Sequence, residues 1–367
     1  MKKEEKETFF SDVADLLSGF LQSLKTLAKK KKSNKVALIM HKMPDPDSIA
    51  TAFCLKKAFL ELFKLESDIF GTGGVSHPQT KTMVNKLDVE IKDDVSFVEQ
   101  AENYGIVIFC DTGAYNASLQ GIVPNLIIDH HKTTDDFPDT LYLYKDFGTA
   151  STIVYFWLKE LGATITSEMA TALAVGISTD TKDLTKEDEV TGFDTRAHQE
   201  LLALIDYPLF AKISYRYEIP RQLISLMGHG YSSVQFDEFG AFIGLGETRA
   251  GQAHYYAIIA DLALRVPETS LVVVVGIEDG KAIRASVRSS IGLVQTNDFC
   301  KKVFEDGSET DTGRAGAGGR TGSGGAYIPL STREIEEWEQ ATSEEREILF
   351  TIKMRRYAER IKNALDS

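Results

Sequence analysis

Short apolar runs alternate with helix-type patterns between residue 35 and about residue 185. The runs have strand length, and the segments between them carry apolar residues at the spacing of amphipathic helices. The predicted strands are Val36–Met40, Ser67–Phe70, Ile106–Cys110 and Leu126–Ile128. The predicted helices lie near residues 48–64, 78–87, 149–161 and 167–176. This alternation predicts an α/β fold in which a parallel sheet is doubly wound.

The rest of the chain divides into a leading helix, a helical connector, a second unit and a tail. Residues 5–32 show helical spacing, and a Thr342–Glu345 capping box starts a helix in the tail. The strands predicted in the second unit are Gly240–Leu245, Tyr255–Leu262, Leu271–Ile277 and Ala282–Arg288. We therefore expect an N-terminal helix (1–32), a first α/β domain (33–195), a helical connector (196–233), a second, smaller α/β domain (234–331) and C-terminal helices (332–367).

Composition indicates a soluble globular protein. The chain has 367 residues, 43% of them hydrophobic and 26% charged, which is enough for two domains with their own cores. No apolar run reaches the roughly 18–20 residues of a membrane span, and the lysine- and glutamate-rich start does not resemble a secretory signal. Cys54, Cys110 and Cys300 lie in apolar patterns without metal-type spacing. Together these features predict a cytoplasmic protein with reduced thiols and no membrane partner.

The net charge of −13 limits the kinds of molecule that the chain is expected to bind. Non-specific binding of duplexes depends on the release of counterions by a basic face, which an acidic chain does not offer. We therefore expect no long duplex nucleic acid as a partner. A small phosphorylated substrate, held by a few local cations and a metal, is compatible with this charge.

Acids and imidazoles gather at the ends of the predicted strands. They are His41, Asp45 and Asp47 after the first strand, Asp111 after the third, Asp129, His130 and His131 after the fourth, and Asp180 after the apolar run 174–178, which we take as a strand or near-strand. Ligands of open α/β sheets bind at the carboxyl ends of the strands, and a buried carboxylate is costly unless it is paired or bound to metal. On its own, the first segment is equally explained by turn and capping roles, with Asp47-Ser48 as the N-cap of the following helix.

Taken together, the four segments predict a metal site. A mixed set of carboxylates and imidazoles suits Mn²⁺, with Mg²⁺ and Fe²⁺ as alternatives, and the absence of thiolates argues against structural zinc. The donors outnumber the needs of one ion, which favours two.

Two features of the second unit have the chemistry of phosphate binding. Arg284, Ser286 and Arg288 alternate along a predicted strand and therefore share one face, where arginine suits bidentate phosphate contacts. A solvent-facing polar strand is the other explanation. Residues 313–325 hold seven glycines, which predict either a flexible loop or a backbone cradle for phosphate or base.

The ordered motifs His41-x-x-x-Asp45-x-Asp47, Asp111-Thr112-Gly113, Asp129-His130-His131 and Asp180 resemble those of the DHH phosphoesterase superfamily. The second half resembles the DHH-associated domain of its RecJ-type and nanoRNase/pAp-phosphatase branches, so that the resemblance covers roughly residues 33–330.

The resemblance implies a role for each motif residue. It implies one ion held by His41, Asp45 and Asp111, and a second held by Asp47, Asp111, His130 and Asp180, with Asp111 bridging. It further implies that His131 contacts the substrate phosphate and that Asp129 orients a neighbouring histidine. From the charges of two such ions, which would lower the pKa of a shared water, we expect hydrolysis by in-line attack of that water without a covalent intermediate.

For the substrate, the resemblance implies contacts from the second unit. The implied contact residues are Arg284, Ser286, Arg288, Gly318, Gly319, Arg320, Gly324 and Gly325. Arg320 departs from the family pattern, because a histidine is expected after the glycine run, and an arginine there could hold an extra phosphate.

The expected function is a Mn²⁺-dependent phosphodiesterase or phosphomonoesterase that acts on short oligonucleotides, linear dinucleotides or pAp. The alternatives are a polyphosphate or pyrophosphate hydrolase, a cyclic-dinucleotide phosphodiesterase and, from another class, a catalytically silent nucleotide sensor. The sequence is also compatible with a homodimer.

Overall fold

The computed structural model describes most of the chain after residue 34. The described residues are Gly19, Gln22 and Thr26 and the ranges 35–113, 122–131, 141–144, 147–186, 189–237, 240–290, 294–304, 309–320 and 322–366. The predicted N-terminal helix lies outside them, apart from those three single residues, which are helical. The chain divides into two compact units, unit 1 (Met1–Glu218) and unit 2 (Ile219–Ser367), and the division falls within the predicted connector.

Unit 1 is built around a parallel sheet of six strands. They are β1 (Lys35–Ile39), β2 (Glu66–Phe70), β3 (Ile91–Lys92), β4 (Tyr104–Cys110), β5 (Leu126–Asp129) and β6 (Leu141–Tyr144), in the order β3-β2-β1-β4-β5-β6. All five strand pairings are parallel. The predicted doubly wound α/β class is therefore confirmed, and among the strands of this sheet the sequence pattern missed the short edge strands β3 and β6.

Helices connect and cover these strands. They are α1 (Pro46–Ala58), which continues as a π-helical turn (Phe59–Phe63), α2 (Pro78–Lys86), α3 (Asp94–Gln100), α4 (Ala150–Glu160), α5 (Ser167–Asp180), α6 (Gly192–Leu202) and α7 (Tyr207–Ser214). Residues of β1 are fully buried from Val36 to Ile39, because the central strand of a parallel sheet is covered on both faces. The core residues on one face of the sheet pack with α1, α4 and α5.

Unit 2 has a mixed sheet with helices on both faces. Its strands are β7 (Gln235–Phe236), β8 (Gly240–Thr248), β9 (Leu271–Glu278), β10 (Ala282–Ser289), β11 (Glu309–Thr310), β12 (Gly313–Arg314), β13 (Gly316–Arg320) and β14 (Ser323–Pro329). Its helices are α8 (Arg221–Ser232), α9 (Ala253–Ala263), α10 (Thr296–Phe304), α11 (Thr332–Gln340) and α12 (Ser343–Leu365). The large sheet has the order β13-β14-β10-β9-β8-β7, and only its β8–β9 pair is parallel.

Two expectations for unit 2 are corrected. The predicted strand Tyr255–Leu262 is wrong, because this segment forms helix α9, which buries Tyr255, Tyr256, Ile259, Ala260 and Ala263 at helical spacing. The glycine-rich segment is not a loop, since most of it pairs as the antiparallel hairpin β13–β14. The predicted capping box at Thr342 is confirmed, because its side chain and that of Glu345 cap α12 reciprocally. No helix among the described residues combines the length and apolar character needed to cross a membrane.

Candidate metal centre

The predicted acids and histidines lie at the carboxyl edge of the unit 1 sheet. Strand β1 pairs with β2 on one side and with β4 on the other, so that the winding direction reverses between β1 and β4. Ligand sites of open α/β sheets form at such a switch point. His41 follows β1, Asp111 follows β4, and Asp129 ends β5 with both histidines after it.

Asp45 and Asp47 are held by different helix N-termini. The N-cap of α1 is Asp45, whose carboxylate accepts a hydrogen bond from the backbone N–H of Ser48 at 3.0 Å, so the expectation that Asp47 provides the cap is wrong. Asp47 instead lies fully buried in the first turn, and its two oxygens accept from the N–H groups of Ala150 and Ser151 at 2.8 Å each. These two amides start helix α4, whose positive dipole end favours a carboxylate.

Asp180 reaches the site from a helix. It is the last residue of α5, so the expectation that it follows a strand is wrong, and the apolar run before it is the buried part of that helix. Gly176 lies one turn earlier, where a Cβ atom would come within 2.3 Å of Ser151 Oγ and 3.0 Å of Asp47 Oδ1. Only glycine allows α5 to approach α1 and α4 closely enough to bring Asp180 beside Asp47.

The side chains form three groups whose possible ligand atoms all lie within 4.8 Å of one another. The groups are His41, Asp45 and Asp111; Asp47, His130 and Asp180; and Asp111, His130 and His131.

Asp111 links the first two groups. Its Oδ2 lies 3.7 Å from Nε2 of His41, and its Oδ1 lies 3.4 Å from Nε2 of His130. His130 Nε2 is also 3.3 Å from Asp180 and 4.0 Å from Asp47.

Hydrogen bonds outside the three groups orient the rings of His41 and His131. Nδ1 of His41 lies 2.8 Å from the carbonyl oxygen of Lys42, which can only accept, so the Nε2 of this ring faces the acids. Nδ1 of His131 donates to Asp129 at 2.8 Å, and Asp129 also accepts from the backbone N–H of His131. This is the type of contact by which a carboxylate orients a ring at a metal site.

Burial and mutual repulsion shift the proton affinities of the group. Burial and the nearby Asp180 raise the pKa of Asp47 to about 7, and burial together with Asp47 and Asp45 raises the pKa of Asp111 well above its usual range. Burial lowers the pKa of His130, but Asp180, Asp47 and Asp129 together outweigh this effect and raise the pKa to about 9. Burial and Asp45 oppose each other in the same way at His41, whose pKa also rises to about 9. Protons thus compensate part of the negative charge.

The donor set fits a divalent cation. Both carboxylate oxygens of Asp111, Oδ2 of Asp129 and Nε2 of His130 are buried without a hydrogen-bond partner among the described residues. Buried polar atoms are normally satisfied, so this concentration of unsatisfied ones points to a ligand. Oxygen and imidazole donors without thiolate suit Mn²⁺, Mg²⁺ or Fe²⁺.

The backbone at Asp111 adopts an unusual conformation. Its φ of 55° lies in the left-handed region, which aspartate and asparagine tolerate better than other non-glycine residues. The conformation comes directly after β4, while the Asp111 N–H still donates to the carbonyl of Ile128 at 2.7 Å. Strain of this kind persists where the surrounding structure enforces it, which is common at functional sites.

The residues predicted to bind substrate lie in unit 2. Arg284, Ser286 and Arg288 lie on β10, as expected. Arg284 forms a bidentate pair with Glu278 at 3.0 and 2.8 Å, and Arg288 pairs with Asp261 at 2.6 Å.

The predicted glycines lie in the β13–β14 hairpin. Gly318 pairs with Gly325, Gly319 with Gly324, and Arg320 with Ser323 at the hairpin end. The substrate contacts of this strand and hairpin stay a prediction.

The sequence did not reveal the residues that fix the position of Asp47. They are the amides of Ala150 and Ser151, the close-packing Gly176, and the buried Asp194, which hydrogen-bonds to the start of α4. The one local signal was the run of small and polar residues from 148 to 152, which is typical of a helix start.

Comparison with known proteins agrees with this geometry. Residues 35–177 match the DHH family, N-terminal domain. An uncharacterized protein of Methanocaldococcus jannaschii is 27% identical over 322 residues, which cover 86% of this chain and 62% of that protein. A probable manganese-dependent inorganic pyrophosphatase of Streptococcus agalactiae serotype Ia is 26% identical over 153 residues, which cover 40% of this chain and 49% of that protein. The chain thus spans less than two thirds of the length of either relative.

One solved structure shares the fold over nearly the whole chain. It is that of an exopolyphosphatase-related protein from Bacteroides fragilis, with a TM-score of 0.61 and 16% identity. The superposition covers 93% of this chain and 98% of that one.

Proposed function

We propose that the chain is a metal-dependent phosphoesterase, because residues 35–177 match the DHH family, N-terminal domain. The observation that carries the proposal is the position of Asp111, whose two unsatisfied oxygens face His41 on one side and His130 on the other. A carboxylate in this position suits a bridge between two ions, each completed by one of the flanking groups. Mn²⁺ is the proposed metal, because the streptococcal relative is described as manganese-dependent.

Each part of the cluster has a proposed task. His41, Asp45 and Asp111 would hold one ion, and Asp47, Asp111, His130 and Asp180 the other. Ions bound here would supply Lewis acidity and a water of lowered pKa near neutral pH. Asp129 holds the partly exposed ring of His131 through Nδ1, which leaves Nε2 to donate to a phosphoryl oxygen when the ring is protonated. No side-chain nucleophile is required, and we propose direct hydrolysis without a covalent intermediate.

Short nucleotides are the proposed substrate class: linear dinucleotides such as pApA or pGpG, fragments of two to five nucleotides, or pAp. The net charge of −13 disfavours long polyanions, while the β10 arginines and the β13–β14 hairpin offer cations and backbone N–H groups for only a few phosphates.

Hydrolysis of pyrophosphate or polyphosphate is the second candidate, and two observations favour it. The streptococcal relative is described as a pyrophosphatase, and the Bacteroides fragilis structure as exopolyphosphatase-related.

A substrate series separates the two candidates. The full chain would be stripped with a chelator, reloaded with Mn²⁺ and assayed for kcat/KM against pAp, RNA of increasing length, pyrophosphate and polyphosphate, with the Asp111→Asn variant as the blank. We expect the maximum at two to five nucleotides. A maximum at polyphosphate, or rates that still rise beyond about ten nucleotides, would reject the short-nucleotide assignment. Failure of the chain to bind Mn²⁺ or to hydrolyse any of these substrates would reject the phosphoesterase itself.

A further inference from the structure

We infer that Asp194 is a positioning residue of the metal centre, acting on Asp47 through the first turn of α4. The inference rests on the proposed function, since it assigns a role in holding one of the proposed metal ligands. Asp194 belongs to α6, is fully buried and lies outside all the motifs that the sequence analysis singled out. Its carboxylate is therefore a buried charge that the proposed mechanism does not use.

Four hydrogen bonds hold this carboxylate, and they come from two places. Two come from Thr191, whose backbone N–H and hydroxyl each donate at 2.7 Å. The other two come from more than 40 residues earlier in the chain: the Gly148 N–H donates at 3.0 Å and the Thr152 hydroxyl at 2.6 Å. None of the ion pairs among the described residues includes Asp194, so these hydrogen bonds, together with its place in the first turn of α6, compensate its burial.

The two distant donors flank the amides that hold Asp47. Gly148 lies before Ala150 and Ser151 in the sequence, and Thr152 lies after them. The hydrogen bonds to Asp194 therefore hold the start of α4 on both sides of the two amides that bind Asp47. The carboxylate of Asp194 thus fixes the positions of the two donors that fix Asp47. Groups that orient ligands in this way typically change metal affinity by 10–100-fold when they are replaced.

Gly148 shows how closely the two segments fit. A Cβ atom at this residue would lie 3.1 Å from both Cγ and Oδ2 of Asp194 and 3.1 Å from the carbonyl oxygen of Glu189. The backbone before α4 therefore lies directly against the carboxylate, and a side chain at this position would force its neighbours to shift.

A purely structural role would be the capping of α6, because Thr191 and Asp194 also form the capping box of that helix. The two roles use different bonds. Capping needs the Thr191 pair, whereas positioning needs the bonds from Gly148 and Thr152. Substitutions on the two sides can therefore separate them.

The experiment is a Mn²⁺ titration by calorimetry of the chelator-stripped full chain, with thermal denaturation of the same samples. Asp194→Asn, which cannot accept from all four donors, should weaken Mn²⁺ binding about tenfold or more, with kcat largely restored at saturating Mn²⁺. Thr152→Val should also weaken Mn²⁺ binding, and it provides the test if Asp194→Asn does not fold. Thr191→Ala, on the capping side, should lower the Tm and leave the Mn²⁺ affinity unchanged.

One control variant fixes the interpretation. Asp68→Asn removes a carboxylate that pairs with Lys92 at 3.0 Å and Tyr104 at 2.6 Å elsewhere in unit 1, and it should lower only the Tm. Equal Mn²⁺ affinity of the wild-type, Asp194→Asn and Thr152→Val chains would overturn the positioning role and leave the proposed function standing. A wild-type chain that binds no Mn²⁺ would overturn both.

Discussion

The acidic edge of unit 1 and the arginine strand of unit 2 differ in whether their charged groups have partners within the fold. Asp111 is buried with both oxygens unsatisfied among the described residues. Arg284 and Arg288 are each satisfied within unit 2, by Glu278 and Asp261. A buried group that lacks a partner in the fold points to a ligand, whereas a paired one is already explained. The functional argument therefore rests on unit 1, and any substrate contact by the arginines must compete with an existing ion pair.

The strongest test of this contrast is Asp111→Asn. Turnover with Mn²⁺ should fall on the order of 10²–10³-fold, because one carboxylate serves both proposed ions. Asparagine tolerates the left-handed backbone, and the change removes a carboxyl group whose ionised form is costly to bury, so the metal-free chain should be at least as stable as the wild type. Steady-state kinetics and thermal denaturation measure both effects. A variant that retains more than a few per cent of activity would remove Asp111 from the bridging role.

His131→Ala should have the next largest effect. We expect kcat to fall about 100-fold while the metal content stays at the wild-type level, because the ring is assigned to the phosphate. Kinetics combined with elemental analysis of the purified chain test this expectation. If manganese is lost with the ring, His131 is a ligand and the assignment is wrong.

The metal-free chain should become less stable as the pH rises from 7 to 9. The pKa values of His41 and His130 are raised from 6.5 to about 9, so that in this range the folded chain holds protons that the unfolded chain has released, and this contribution is lost as the pH approaches 9.

Mn²⁺ should reverse the trend, because binding needs neutral imidazoles and releases those protons. At about 100 times its Kd it should add about 2.7 kcal/mol, or roughly 5–10 °C in Tm. Thermal scans with chelator and with Mn²⁺ at both pH values measure this. A chelated chain whose Tm increases towards pH 9 would contradict the raised pKa values of His41 and His130.

Gly176→Ala tests the close helix contact. The added methyl group would meet Ser151 and Asp47, so we expect a loss of about 1–3 kcal/mol in unfolding free energy together with weaker Mn²⁺ binding. Gly228→Ala is the matched control, because Gly228 also lies inside a helix but has nothing within 4 Å of the added atom. The control should gain about 0.5–1 kcal/mol. Equal responses of the two variants would show that the contact at Gly176 is not tight.

The smallest expected effect is that of Arg320→Ala. The Mn²⁺ affinity should not change, and KM should rise about fivefold for substrates with an additional phosphate, in line with the loss of about 1 kcal/mol. The ratio of kcat/KM for pAp to that for a nucleoside monophosphate measures it. An unchanged ratio would show that an arginine at this position, in place of the histidine of the DHH superfamily motif, does not affect substrate choice.

The features of the fold that depend on local sequence pattern could be predicted. Strand length and position in unit 1, the parallel sheet and the arrival of the acids at one sheet edge followed from apolar runs that end in polar residues. The segment Tyr255–Leu262 shows the limit of this approach. An apolar run of that length fits a strand or a helix, and only packing of one face against β8 and β9 selects the helix.

Features that depend on distant pairing could not be predicted. Asp194 meets Gly148 and Thr152 across more than 40 residues, and Gly176 acts through the surfaces of two other helices. The hairpin β13–β14 was missed for a related reason. Its glycines have weak intrinsic preference for a strand, and pairing of β14 with β10 supplies the order.

The strand order of unit 1 also has a consequence for the time course of folding. Strand β1 comes first in the chain but lies in the middle of the sheet. One of its two partners, β4, follows in the sequence only after β2 and β3, so the β1–β4 pairing is non-local. Sheets built from such non-local pairings form slowly.

The proposed metal ligands are spread from His41 to Asp180, so the complete site cannot exist before β1 and β4 have met. Manganese should therefore leave the refolding rate nearly unchanged and slow unfolding, because we expect its contacts to form only after this pairing, beyond the transition state. In this chain the metal would therefore stabilise the completed sheet and would not direct its formation.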